Sequence, residues 1–70
     1  MKTIKQYIEE CNKGIIESGM YTSKDEDGKE LTIALQKGVG AQVTSKNNKG
    51  WYEVVEYDND GNQVSVSYEK

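Results

Sequence analysis

The chain contains no histidine, no arginine and no phenylalanine, and one cysteine. Each absence removes a class of chemistry. Without His there is no imidazole base near neutral pH and no His-ligated metal. All nine basic residues are Lys, so no guanidinium fork is available for two-point recognition of phosphate or guanine. Cys11 has no partner for an internal disulfide, whereas small secreted domains usually carry several. That points to a reducing compartment, the cytoplasm, or the host cytoplasm if the chain is viral. The opening MKTIKQYIEECNKG lacks the apolar core of a signal peptide. No stretch approaches the roughly 20 apolar residues of a membrane crossing.

Hydrophobic material is also scarce. Leu, Ile and Val together number 13 of 70 residues, a composition at the margin of foldability. Trp51 and five Tyr add bulk, and a net charge of −3 is too small to force disorder. We expect one small domain over residues 1–70 with a thin core. The acidic pI near 4.8 disfavours general attraction to nucleic acid or anionic lipid.

The apolar period predicts a helix over about residues 3–18. Thr3 and Gln6 fit a capping box, each side chain satisfying the other's free backbone N–H. Ile4, Tyr7, Ile8, Cys11 and Ile15 fall on one face. Lys5, Glu9, Lys13 and Glu17 alternate in sign on the other, the mark of a solvated face. Ser18-Gly19 is the expected stop, but Gly14 inside the helix costs about 1 kcal/mol relative to Ala, so either the helix frays after Asn12 or another backbone packs closely there. Beyond Gly19 the period becomes two. Met20 to Thr22, Leu31 to Gln36, Ala41 to Ser45, Trp51 to Tyr57 and Gln63 to Tyr68 read as strands. Short polar or Gly-containing turns separate them, too short for parallel crossovers. The expected fold class is α+β: one N-terminal helix packed on a four- to five-stranded antiparallel β-meander.

Motif by motif, catalytic and metal chemistry finds little support. The turns Asp25-Glu26-Asp27-Gly28 and Asp58-Asn59-Asp60-Gly61 echo each other and suggest calcium. Placing either Gly at the sixth position of an EF-hand loop puts Ala34 or Ser67 where the bidentate carboxylate belongs. Two tight hairpins account for the echo more simply. Gly38-Val39-Gly40 lacks the third Gly and following helix of a nucleotide loop. Cys11 lies on the apolar helix face without a base to ionise it. Glu53 and Glu56 are three apart on a strand and so point to opposite faces. We expect no enzyme, no metal and no cofactor.

The segment Trp51-Tyr52-Glu53-Val54-Val55-Glu56-Tyr57 is apolar on both alternating faces, and one helix covers one face. Exposed aromatics on the open face are the usual material of a binding hot spot. The expectation is therefore a small protein-binding domain, an adaptor or an inhibitor acting by surface occlusion. Short, cysteine-poor chains of this kind are common among phage-encoded inhibitors, which is an association only. Trp51, Tyr52 and Tyr57 would anchor a larger protein with a basic or apolar surface. Glu53, Glu56, Asp58 and Asp60 would steer it, joined by Asp25, Glu26 and Asp27 if both acidic turns meet in space. Self-association into a homodimer is a sub-case. The alternative is a single-stranded nucleic-acid binder using Lys46, Lys49, Trp51 and Tyr52. Three Lys without Arg give it little phosphate affinity.

Overall fold

The computed structural model describes residues 3–70 apart from Glu26 and Asn48. These two residues, members of the expected acidic patch and of an expected turn, lie outside the described residues. A helix α1 (Ile4–Asn12) precedes five strands: β1 (Gly19–Lys24), β2 (Glu30–Gln36), β3 (Gly40–Lys46), β4 (Tyr52–Tyr57) and β5 (Gln63–Glu69). They form one sheet in sequence order, every pair antiparallel. The α+β meander read from the sequence is the fold observed.

The helix begins where the sequence places it. Thr3 Oγ1 accepts from the Gln6 N–H at 3.2 Å, and Gln6 Oε1 accepts from the Thr3 N–H at 2.8 Å. It ends earlier than expected, after nine residues rather than near Ser18. Gly14 is the cause: it takes φ +76°. Its N–H donates to the Cys11 carbonyl at 3.1 Å, and that of Ile15 donates to Glu10 at 2.9 Å. This is the Schellman stop. Ile15 consequently leaves the apolar face and is exposed, while Ile16 packs against the core. Gly19, the expected stop, instead opens β1.

Register fixes what the helix covers. Directly paired residues share a face, so Tyr21, Ile33, Val43, Val55 and Val66 form a row across all five strands. Ile8 and Cys11 of α1 bury Ile33, Leu35, Ala41 and Val43. α1 crosses β2 and β3. Tyr7 meets Tyr21 with ring centroids 6.4 Å apart, and the Tyr21 hydroxyl donates to the Glu17 carbonyl at 2.6 Å. The β1 side is thereby closed by the segment that links helix to sheet. The next row on the opposite face reads Thr22, Thr32, Thr44, Val54 and Ser67, and only Val54 of these is buried.

Two glycines set the close approaches. A Cβ on Gly40 (φ +138°) would sit 2.1 Å from the Tyr57 carbonyl oxygen. That contact falls at the register shift between Glu56 and Tyr57, where β5 carries a bulge at Val64, the residue the pairing skips. A Cβ on Gly61 would meet Lys5 Cγ at 2.9 Å, so the β4–β5 turn lies against the helix. Asn12 completes this join. Its side-chain amide donates to Asn59 Oδ1 at 2.8 Å, and its Oδ1 accepts from the Gly38 N–H at 3.0 Å.

Gly38 also has positive φ, but a Cβ there meets open space. Gly38→Ala should cost about 1 kcal/mol from backbone strain alone. Gly40→Ala should cost several times that, because backbone atoms must move apart. Urea denaturation of both variants checks the ordering, and equal losses would remove the steric account of Gly40.

Candidate functional site

Three hairpin turns share one construction. Asp25 Oδ1 accepts from the N–H groups of Asp27 and Lys29, at 3.0 and 2.9 Å. Asn47 Oδ1 does the same for Lys49 and Trp51, at 2.9 and 3.0 Å. Asp58 Oδ1 does so for Asp60 and Asn62, both at 2.9 Å. In each, a glycine three residues on takes positive φ and donates to the carbonyl of the first residue: Gly28, Gly50 and Gly61. A short side-chain oxygen at the first position and a left-handed glycine at the fourth define this hairpin loop. The echo between the two acidic turns is therefore turn chemistry, and residues 47–51 are its third instance.

Two observations bear on the acidic turns. The carboxylates of Asp25 and Asp58 are turned into their own loops. Among the described residues, no group of three or more His, Cys, Asp or Glu is arranged to hold a metal. Moreover, successive turns of a meander lie at alternate ends of the sheet. The turn after β1 and the turn after β4 are thus at opposite ends, and the acidic patch that would join them does not form.

The proposed anchors also separate. Tyr52 and Tyr57 are five residues apart on β4, about 17 Å at the rise of an extended strand, and the pleat turns them to opposite faces. Tyr57 is half-buried and packs against the helix-side core, with Asp58 starting the turn that follows. Tyr52 is 46% exposed on the face away from the helix, with Glu56 on that same face. Trp51, 37% exposed, precedes β4 on the helix side, with Lys70 Nζ 5.5 Å over its ring. Glu53 pairs with Tyr68 on the same side. The alternative set stays closer together: Tyr52 is the cross-strand partner of Lys46, and Lys49 lies in the turn before Trp51.

A different group emerges as one surface. Burial collapses along the helix-side row from Ile33, fully buried, through Val43 and half-buried Val55 to Val66, 42% exposed. Tyr68 follows Val66 on that side and is 56% exposed, while Val64, the residue the pairing with β4 skips, is 60% exposed. With Trp51, Val66 and Tyr68 make an apolar strip beyond the reach of α1, on a strand exposed along its whole length. The signal was present in the alternation of Val64, Val66 and Tyr68 with Ser65 and Ser67. The last strand of a meander is also an edge by construction.

Elsewhere, a hollow of about 400 Å³ opens on the far face between Met20, Ala34, Gln36, Val39, Gln42 and Glu56. Cys11 is buried in the core with its Sγ 3.7 Å from Ser18 Oγ. No helix among the described residues is long and apolar enough to cross a membrane. Comparison of the chain with protein-family models, curated proteins and solved structures gives no match.

Among the described residues, Asp58 alone carries a clear electrostatic consequence. The N–H of Asn62 foremost, with that of Asp60, holds its carboxyl below the ordinary value of 3.8, outweighing partial loss of water. A depressed folded-state value stabilises the fold above the unfolded value, and that contribution disappears as pH falls through the folded value. Asp58→Asn keeps an acceptor, as Asn47 demonstrates, but does not titrate. The melting temperature of Asp58→Asn should therefore fall less than wild type between about pH 5 and about pH 2. Parallel acid profiles would dismiss the turn as a source of acid sensitivity.

Proposed function

We propose that the protein is a small non-catalytic protein-binding domain that docks through β5 and the adjoining end of β4. It acts as an adaptor, or as an inhibitor that occludes its partner's surface. One observation supports this reading: Trp51, Val66 and Tyr68 share the helix-side face where no helix lies. Burying such a strip is worth about 25 cal/mol per Å² of apolar surface. The free edge of β5 adds backbone donors and acceptors that a partner strand can use. Glu53 beside the strip and Asp60 at its far end give it an acidic rim, suited to a partner with basic residues around an apolar patch.

A second reading draws on the closeness of Lys46, Lys49, Trp51 and Tyr52 at one end of the sheet. Bases of a single strand would stack there. Glu53 and Glu69 stand on the same end and oppose a phosphate backbone, which ranks this reading below the first.

Capture from a lysate of the source organism, comparing wild type with Val66→Ser/Tyr68→Ser, tests the proposal. Both positions are exposed, so the melting temperature should change little. We expect a protein held by the wild type and lost by the variant. Equal retention by both overturns the docking surface. Titration of a labelled oligonucleotide at low salt, read by Trp51 fluorescence, should give no quenching. Saturable, salt-sensitive quenching would install the nucleic-acid reading instead.

A further inference from the structure

We propose that this docking end takes a lysine side chain of the partner, its ammonium over the Trp51 ring and beside the Glu53 carboxylate, in the place that Lys70 of this chain now fills. The inference rests on the preceding reading that β5 and the adjoining end of β4 are the docking element.

The Trp51 ring already receives such a group. Lys70 Nζ stands 5.5 Å from its centroid, inside the distance at which a ring face attracts a cation. The Asn47 loop fixes the backbone that carries the ring. The Trp51 N–H donates to Asn47 Oδ1 at 3.0 Å, and its carbonyl accepts from the Asn47 N–H at 2.8 Å. Lys70 is held differently. It lies just past the end of β5, exposed, on a flexible four-carbon stem. The platform is built, and its occupant is exchangeable.

Charge selects the same kind of occupant. On the helix side, the row next to Val66 reads Ser23, Leu31, Ser45, Glu53 and Tyr68 across all five strands. Glu53 is its only charged member, and no ion pair holds that carboxylate among the described residues. Tyr68 is the cross-strand partner of Glu53, and Val66 lies one row further in. A lysine entering along this strip lays its methylenes on Val66 and Tyr68 and brings its ammonium between a ring face and a carboxylate. An acidic side chain there would meet Glu53 with like sign. A neutral apolar one would take water from Glu53 and give nothing in return.

Tetralysine, titrated at low salt and followed by NMR, should shift the Trp51 indole and the Glu53 and Tyr68 amides saturably. Tetralysine acetylated on every ε-amine has lost its side-chain cations and should leave them in place. Trp51→Leu should weaken tetralysine binding about threefold or more, with circular dichroism checking that the variant folds. Lys70→Ala empties the ring face and should tighten binding about twofold or more. Lys46→Ala removes the same charge at the same end of the sheet but from the other face, and should tighten it less. This second comparison decides the matter if Trp51→Leu does not fold. Absent shifts, an equal response to the two peptides, a folded Trp51→Leu that binds as wild type does, or Lys70→Ala no tighter than Lys46→Ala overturns the lysine site. If the site falls while Val66→Ser/Tyr68→Ser still loses a captured protein, the lysine assignment alone fails. If neither peptide nor protein is held, the docking reading fails with it.

Discussion

A helix is about 10 Å across with its side chains, whereas five strands span about 19 Å from first to last. Everything particular about this protein follows from that mismatch. A single nine-residue helix covers two strands, and the fully buried side chains lie where α1 crosses β2 and β3. The remaining coverage is decided by connectivity. The chain leaves the helix at Gly14 and must reach β1, so residues 13–18 and the Tyr7–Tyr21 contact close that side. Among the described residues, none covers β5. The apolar row therefore runs from a closed edge to an open one.

The turns make the same sheet stiff and disperse its charge. Three loops spend the side chain of their first residue on their own N–H groups. This fixes hairpin register without demanding anything from the core, which suits a chain so poor in aliphatics. Because the strands follow one another in space, the loops alternate between ends. Acids that look concentrated in the sequence end far apart. At one end Asn12 ties the helix to two loops at once, through Gly38 and Asn59. The helix is thereby held in place by polar contacts as well as by Ile8.

Local signals were legible and long-range ones were not. The capping box, the five strands and their turns all follow from spacing within a few residues. The helix stop was legible only in part: Gly14 marks a weak point after Asn12, but only its positive φ makes it the stop in place of Gly19. The anchors failed for a related reason. Alternation separates the two faces of β4 but does not say which one receives the helix, or how far along each strand its cover extends. Tyr57 lies on the covered face near the helix and is half-buried there. Val66 lies on the same face two strands from β3 and stays in water. Only the register across strands distinguishes them.

The choice of residue at these exposed positions carries its own argument. Strands favour β-branched side chains for their stiffness, which would explain Val64 and Val66 without any partner. The far face answers this. There the chain uses Thr22, Thr32 and Thr44 in one row, obtaining the same branched shape with a hydroxyl that water can satisfy. Thr at 64 and 66 would serve a solvated edge equally well. Instead, two valines stand in solvent near Tyr68 on an edge strand. Propensity alone does not choose Val over Thr at those positions, whereas the cover proposed for this edge would.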